Sequence, residues 1–267
     1  MYSQSKILTT WDKVWEDKNN LIEWDYLSQV VLDVLLEEIP ENNQTFIEVG
    51  SGSGRISHKL GQLGAKVTLL DISSQAIQEG KRLFQKTHTS CKLIRGSLFQ
   101  IPCQESSYDV VWNSGVVEHY LNDELNLALK EMARISREKG MVIVIVPYEG
   151  SFLHSIGKAV IEKLVEYPYG DEYPIKTLQP ELESISCKFV KKEYSVGFFV
   201  LFVGALKRLM LLKGGIIFKP IYLMLNRFFL YMTLHSPFAT KLKKMDLMFS
   251  KLFGGYLLVS ILKKNKI

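Results

Sequence analysis

Between residues 45 and 55 a short apolar run, TFIEV, enters glycines at every second position, Gly50, Gly52 and Gly54, and a helical stretch begins at Arg55. This pattern reads as a buried strand that ends in an acid, Glu48, and feeds a tight turn at the start of a helix. The glycines let the backbone turn sharply and let a ligand approach the main chain closely. Amides at a helix start favour an anion. The dinucleotide fingerprint G-x-G-x-x-G is absent, because its third glycine falls on Arg55 counted from Gly50 and on Ser57 counted from Gly52. NAD is disfavoured on that ground.

The stretches around this turn alternate in kind. Residues 21–39 carry Leu27, Val30, Val31, Val34 and Leu35 at helical spacing, with Pro40 as the stop. After the glycine turn come a helix over 55–63 capped by Gly64, the strand KVTLLD over 66–71, and a helix opened by Ser73 or Ser74. Strands then follow at 91–96, 107–113 and 141–146, with a helix over 122–138 before the last of them. Strands alternating with helices imply βαβ units and a parallel sheet, here with both faces covered. Binding then belongs at the carboxyl ends of the strands. Asp71 closes the second strand there, where a carboxylate can accept hydrogen bonds from both hydroxyls of a ribose.

Composition bounds the remaining choices. With 267 residues, 47% apolar and 23% charged, the chain has the make-up of a globular protein of one large domain or one domain with an addition. Cys91, Cys103 and Cys187 lie too far apart for metal-ligand spacing or a disulfide framework, so no metal and a reducing, cytoplasmic compartment are expected. The N-terminus has no apolar run behind a basic start, and no secretory signal is expected.

Charge is unevenly placed. From residue 188 onward there are 15 lysines and arginines but only two acids, Glu193 and Asp246, whereas the first 187 residues hold 18 cations against 26 acids. The basic part is also the apolar part, with 46 apolar residues among its 80. A helix is expected over 178–185, a strand over 188–199 and a last strand over 254–264. Between those strands lies a basic, aromatic insert, too often interrupted by charge to span a bilayer.

The runs FIEVGSGSGR, VTLLDIS, LIRGSLFQIP, SYDVVWNSGVVEHY and GMVIVIVP together resemble a class I S-adenosylmethionine (SAM) dependent methyltransferase of the small-molecule, quinone-methylase-like type. The resemblance covers about residues 44–150. It implies an α/β fold with a doubly wound, mostly parallel seven-stranded sheet, a Rossmann-like methyltransferase fold whose last strand is antiparallel. A helical insert would precede that strand. The chain then divides into an N-terminal helical cap (1–43), a SAM-binding core (44–196), the insert (197–253) and the last strand (254–267).

The resemblance also implies residue roles. Glu48, Gly50, Gly52 and Gly54 would line the methionine part of SAM, and Asp71 would hold the ribose with Ile72 on the adenine. Ser97 and Leu98 would meet the adenine edge, and Asn113 and Ser114 the sulfonium end. The family often has Asp where this chain has Ser97 after Gly96; a serine oxygen accepts more weakly. S-adenosylhomocysteine would be the product.

For the acceptor, a hydroxyl nucleophile is helped by a general base. His119 is the first candidate, against a reading as a pocket-shaping histidine; Glu118 and His154 are others. Trp11 and Trp15 are read either as a lid or as packing of an N-terminal helix, and Trp24 as packing. Tyr148, Tyr167, Tyr169 and Tyr173, with His154, fall where acceptor pockets are built in this family. An aromatic wall suits a small hydrophobic acceptor, quinone- or lipid-like. Three partners are weighed for the basic region: an anionic membrane surface, which would put the protein on the inner face of a membrane, a bland helical cap or subunit interface, and nucleic acid, which its Leu, Met, Ile and Phe disfavour. A nucleic-acid methyltransferase and a non-catalytic SAM-binding protein of the same fold are the alternatives to the small-molecule enzyme.

Overall fold

The computed structural model describes residues 11–15, 24–39, 44–151, 154–155, 172–173, 175–185, 189–210, 212–235 and 237–264. Tyr167, Tyr169 and Cys187 lie outside them.

Seven strands form one sheet: β1 Thr45–Val49, β2 Lys66–Asp71, β3 Cys91–Arg95, β4 Tyr108–Ser114, β5 Ser136–Pro147, β6 Phe189–Val196 and β7 Leu257–Lys264. Their order is β3-β2-β1-β4-β5-β7-β6. The pairs among β1 to β5 are parallel. β7 runs antiparallel between β5 and β6. This is the mostly parallel sheet expected from the alternation, in the doubly wound, Rossmann-like form with an antiparallel last strand that the resemblance implies. The order reverses between β1 and β4, so their carboxyl ends open a crevice there.

The helices are α1 Tyr26–Glu38, α2 Arg55–Gln62, α3 Ser74–Lys86, α4 Asn122–Ile135, α5 Gln179–Ile185, α6 Val200–Leu209, α7 Lys219–Leu234 and α8 Ala239–Phe253. Residues 11–15 form a further short helix. One face of the sheet buries α1, α2 and α6 against alternate residues such as Phe46, Trp112, Ile143 and Val259. The other buries α4 and α5 against Ile47, Val111, Val144 and Leu258. Ser73 caps α3 by accepting from the Ala76 amide, as its position predicts.

The strand expected over 188–199 ends at Val196, the last strand begins at Leu257 and not at Gly254, and the largest shift of a boundary follows α4. The helix expected over 122–138 ends at Ile135, and Ser136 already pairs with Tyr108 as the start of β5. The run Ser136-Arg137-Glu138-Lys139 suits a helix locally. Sheet pairing and the ion pair of Arg137 with Asp109 at 3.0 Å draw it into the strand, and Lys139 takes a positive φ of 64° to accommodate the bulge.

The segment between β6 and β7 is helical: α6, a 3-10 turn over Gly215–Phe218, α7 and α8. It is fixed to the core by polar side chains and by apolar groups of α7. Asp246 accepts the Gly197 amide at 2.8 Å and the Phe199 amide at 2.9 Å. Asn226 accepts the Tyr26 amide at 2.8 Å, and Phe229 stacks between Tyr26 and Phe199. Lys243 reaches Asp33 of α1 at 2.9 Å.

Candidate cofactor and acceptor site

The glycine turn is held open by Asp71. Gly50, Gly52 and Gly54 have φ of 70°, 53° and 64°, the left-handed region that favours glycine. The Gly52 amide donates to Asp71 Oδ2 at 2.8 Å, and the Ser73 amide donates to Asp71 Oδ1 at 2.9 Å. The acid at the end of β2 therefore braces the turn after β1 and the start of α3 at once. Asp71 is buried, and burial raises its carboxyl above the ordinary carboxylate range, offset in part by these amides.

A cavity of about 200 Å³ opens at the carboxyl ends of β1, β2 and β4. Of the residues expected to hold a cofactor, Glu48, Gly50, Gly52, Asp71, Ile72, Ser97, Leu98 and Ser114 line it. Two do not. Gly54 sits beneath the turn, where a Cβ would meet Leu69 Cδ1 at 2.4 Å, so its glycine serves packing and backbone conformation. Asn113 is fully buried, and its amide nitrogen faces Met132 Sδ at 3.4 Å on the α4 side. Alternation along β4 explains this: neighbouring side chains point to opposite faces. Ser97 Oγ accepts the Phe99 amide at 3.2 Å.

Glu48 is the charged group at the cavity's inner end. Burial pushes its carboxyl up to about 8, with Ser57 and the Arg55 cation offsetting only part. Its Oε2 is buried and has no hydrogen-bond partner among the described residues. The folded protein thus holds this proton more tightly than the unfolded chain, whose carboxyl titrates near 4.3. Stability from this group is complete below that value and is lost as pH rises towards 8. Glu48→Gln is expected to melt higher than the parent protein by a margin that is small at pH 4.5, widens to pH 8 and then levels off. The margin is on the order of a few kcal/mol at its largest. Thermal unfolding across that range without ligand checks it, and a margin that does not change with pH would overturn the assignment.

A second cavity of about 310 Å³ joins the first across Trp11, Trp15, Arg55, Ser114, Gly115 and His119, which border both. The short helix over 11–15 lies over this junction. A Cβ on Gly52 would come within 2.3 Å of the Trp15 ring, and Trp11 meets His119 edge-on at 5.3 Å. Both tryptophans therefore border the cavities, in keeping with a lid, while Trp24 packs against the core and donates its indole N–H to Gln29. The far wall of the second cavity comes from the insert and the end of β7: Val200, Val203, Lys207, Arg208, Tyr222 and Tyr256.

The remaining expected acceptor residues do not line this wall. His154 is buried, with Nδ1 3.3 Å from Arg208 and its ring edge-on to Tyr256. Tyr173 donates its amide to the Glu118 carbonyl at 2.7 Å, behind the second cavity. Tyr148 lies apart, along a groove with Phe198 and Phe253. Sequence reasoning passed over Arg208 and Lys207 as site residues, since nothing local marks two cations in an apolar helix as facing a pocket more than 50 residues upstream. Phe99, Gly115 and Val116 were also missed, although Phe99 and Gly115 directly follow expected contacts, Leu98 and Ser114.

Residues 47–144 match the methyltransferase domain family. Among curated proteins, the chain is 26% identical over 160 residues to a malonyl-[acyl-carrier protein] O-methyltransferase of Buchnera aphidicola, covering 60% of this chain and 61% of that protein. The same enzyme from Enterobacter lignolyticus is 26% identical over 186 residues, 68% of each. The chain thus spans roughly two thirds or less of these relatives' length. Among solved structures, a possible histamine N-methyltransferase from Thermotoga maritima aligns with a TM-score of 0.58 at 17% identity, over 96% of this chain and 99% of that one. A Burkholderia thailandensis 1,6-didemethyltoxoflavin-N1-methyltransferase, solved with S-adenosylhomocysteine, gives 0.58 at 12% identity, over 98% and 89%. These likenesses bear on the methyltransferase family and its fold, not on the quinone-methylase branch.

Proposed function

We propose that this chain, whose residues 47–144 match a methyltransferase domain family, is a class I SAM-dependent methyltransferase that moves a methyl group from SAM to a small acceptor with a hydrophobic body, quinone-, lipid- or acyl-like. The observation that most supports this is the meeting of two cavities at Ser114, Gly115 and His119, one lined by the glycine turn and the other by apolar side chains with charged groups of both signs, Lys207 and Arg208 against Asp25, Glu118 and Glu172. The residues of the first cavity fit the cofactor: an orphan buried oxygen on Glu48, a glycine turn without side chains, and an acid at the end of β2.

In this reading Glu48, Gly50 and Gly52 hold the methionine end, Asp71 the ribose, and Ile72, Ser97 and Leu98 the adenine. SAM supplies an electrophilic methyl on a sulfonium. The chain's part is to align the acceptor at the junction and exclude water, and orientation of that kind supplies much of a transfer rate. Trp11 and Trp15 cover the junction. His119 takes the proton of a hydroxyl acceptor. Arg208 favours an acceptor with an acidic oxygen, as the malonyl group named for the curated relatives would offer, whereas Lys207 is held by Asp25 at 3.6 Å. The division into cap, core, insert and last strand, and a cytoplasmic, membrane-peripheral location, belong to the same reading.

The test incubates the purified protein with methyl-labelled SAM and a cell extract, then identifies the labelled product by mass spectrometry. A labelled hydrophobic small molecule or acyl carrier is expected. Label confined to RNA or DNA would replace this reading with a nucleic-acid methyltransferase. SAM binding by calorimetry without any labelled product would favour a non-catalytic binder.

A further inference from the structure

The insert packs only part of its apolar surface on the core. Tyr222, Leu225, Phe229 and Leu230 of α7 turn inward, beside the buried polar groups Asn226, Asp246 and Ser250. The residues it leaves outside are large and apolar. On α7, Ile221, Met224, Phe228 and Tyr231 are 47%, 60%, 51% and 62% exposed, and their spacing of three and four places them on one face. Ile216 and Ile217, on the preceding 3-10 turn, are more exposed still. On α8 the outward face mixes cations and apolar groups: Lys241, Lys244, Met245, Met248, Lys251 and Leu252. A run of exposed groups of this size on neighbouring helices marks an interaction surface, since single exposed apolar residues need no partner but contiguous ones do.

Charge selects the occupant. Between residues 197 and 253 the only acid is Asp246, and it is buried on the Gly197 and Phe199 amides. The outward surface therefore carries cations and no carboxylate. Two copies joined through this face would set lysine against lysine. A nucleic acid would answer the cations but leave Ile217, Met224 and Phe228 in water. An anionic bilayer answers both, with headgroups for the lysines and acyl chains for the apolar groups. Among the described residues no helix is long and apolar enough to cross a membrane, so the contact is interfacial.

We propose that the outward faces of α7 and α8, with the turn before α7, dock this protein on the surface of an anionic lipid bilayer. Ile216, Ile217, Met224 and Phe228 enter the acyl boundary. Lys241, Lys244 and Lys251 sit at the headgroups. Lys243 takes no part, because it is held by Asp33 and Glu37 of α1. The docking stands independently of methyl transfer. One consequence rests on that reading: α6 and α7 also line the second cavity through Val203 and Tyr222, so docking sets the acceptor's cavity beside the bilayer.

Co-sedimentation tests this with vesicles of phosphatidylcholine alone and of phosphatidylcholine mixed with phosphatidylglycerol. The protein is expected to pellet with the mixed vesicles at low salt and only weakly with the neutral ones. Roughly 0.5 M salt is expected to weaken binding without abolishing it, since the apolar part is not screened. Met224→Asp with Phe228→Asp is expected to lower partitioning by about a hundredfold. Lys241→Glu with Lys244→Glu is expected to lower it by at least about 30-fold. Both pairs should bind SAM as the parent does, which controls for folding. The lysine pair, fully on the surface, decides the matter if the aspartate pair does not fold. A parent protein that stays in the supernatant with mixed vesicles at low salt overturns the proposal. So does a concentration-dependent dimer in sedimentation equilibrium that the aspartate pair dissolves, or binding to RNA that survives in vesicle competition.

Discussion

Replacing His119 with alanine is expected to lower turnover by about 10² to 10⁴ while SAM affinity changes little. The separation of the two effects follows from position. His119 borders both cavities, but the contacts expected to hold the cofactor, Glu48, the glycine turn and Asp71, belong to the first alone. The 3-10 turn Val117–His119 directly after β4 sets the histidine at the junction, and the edge contact with Trp11 fixes its ring. Steady-state kinetics on the labelled product, with calorimetry for SAM, checks this. A general base also leaves a mark in the pH profile: the parent's rate falls on the acid side as the imidazole is protonated, and this limb disappears in His119→Ala. A rate loss under tenfold with the acid limb unchanged would make His119 a pocket-shaping residue, with orientation as the main source of rate.

The parts of this protein that sequence reasoning reached are those in which local pattern and tertiary role coincide. TFIEV and MVIVIV are apolar on both faces because both faces are covered, so their strands were readable from composition alone. The glycines at 50 and 52 were readable because side chains are excluded there by backbone conformation and by close packing, and Asp71 because a strand-end acid next to such a turn has few other uses. Where distant pairing decides, pattern fails. Ser136 to Lys139 would extend a helix in isolation, yet Tyr108 and Asp109 across the sheet take them into β5. Asn113 follows the motif in sequence but faces Met132, because its place in the strand's alternation, not its neighbourhood to Ser114, sets its direction. Arg208 and Tyr256 meet at the second cavity from segments nearly 50 residues apart, and only the packing of α6 on β7 brings them together.

Asp71→Ala is expected to lower SAM affinity by about 10² to 10⁴, the loss of two charge-assisted hydrogen bonds at ~1.5–3 kcal/mol each. The structure adds a second route to the same loss. Asp71 also receives the Gly52 and Ser73 amides, so its removal frees the turn that would cradle the ligand. Gly52 to valine attacks the turn from the other side. A β-branched residue disfavours φ of 53°, and its Cβ would lie 2.3 Å from the Trp15 ring. The two substitutions act on one unit joined by the Gly52–Asp71 hydrogen bond. Their combined effect should therefore fall well short of the sum, whereas independent contacts would add within about 0.5 kcal/mol. Asp71→Asn separates the two routes: its amide oxygen still accepts one amide from the turn, but the charge and one acceptor are gone, so its affinity should lie between parent and alanine. Calorimetry with SAM on the parent, the two single variants, the double variant and Asp71→Asn, with circular dichroism to show that the sheet is retained, measures the coupling. An Asp71→Ala protein that keeps the parent's affinity and fold would remove Asp71, and with it the glycine turn, from the cofactor site.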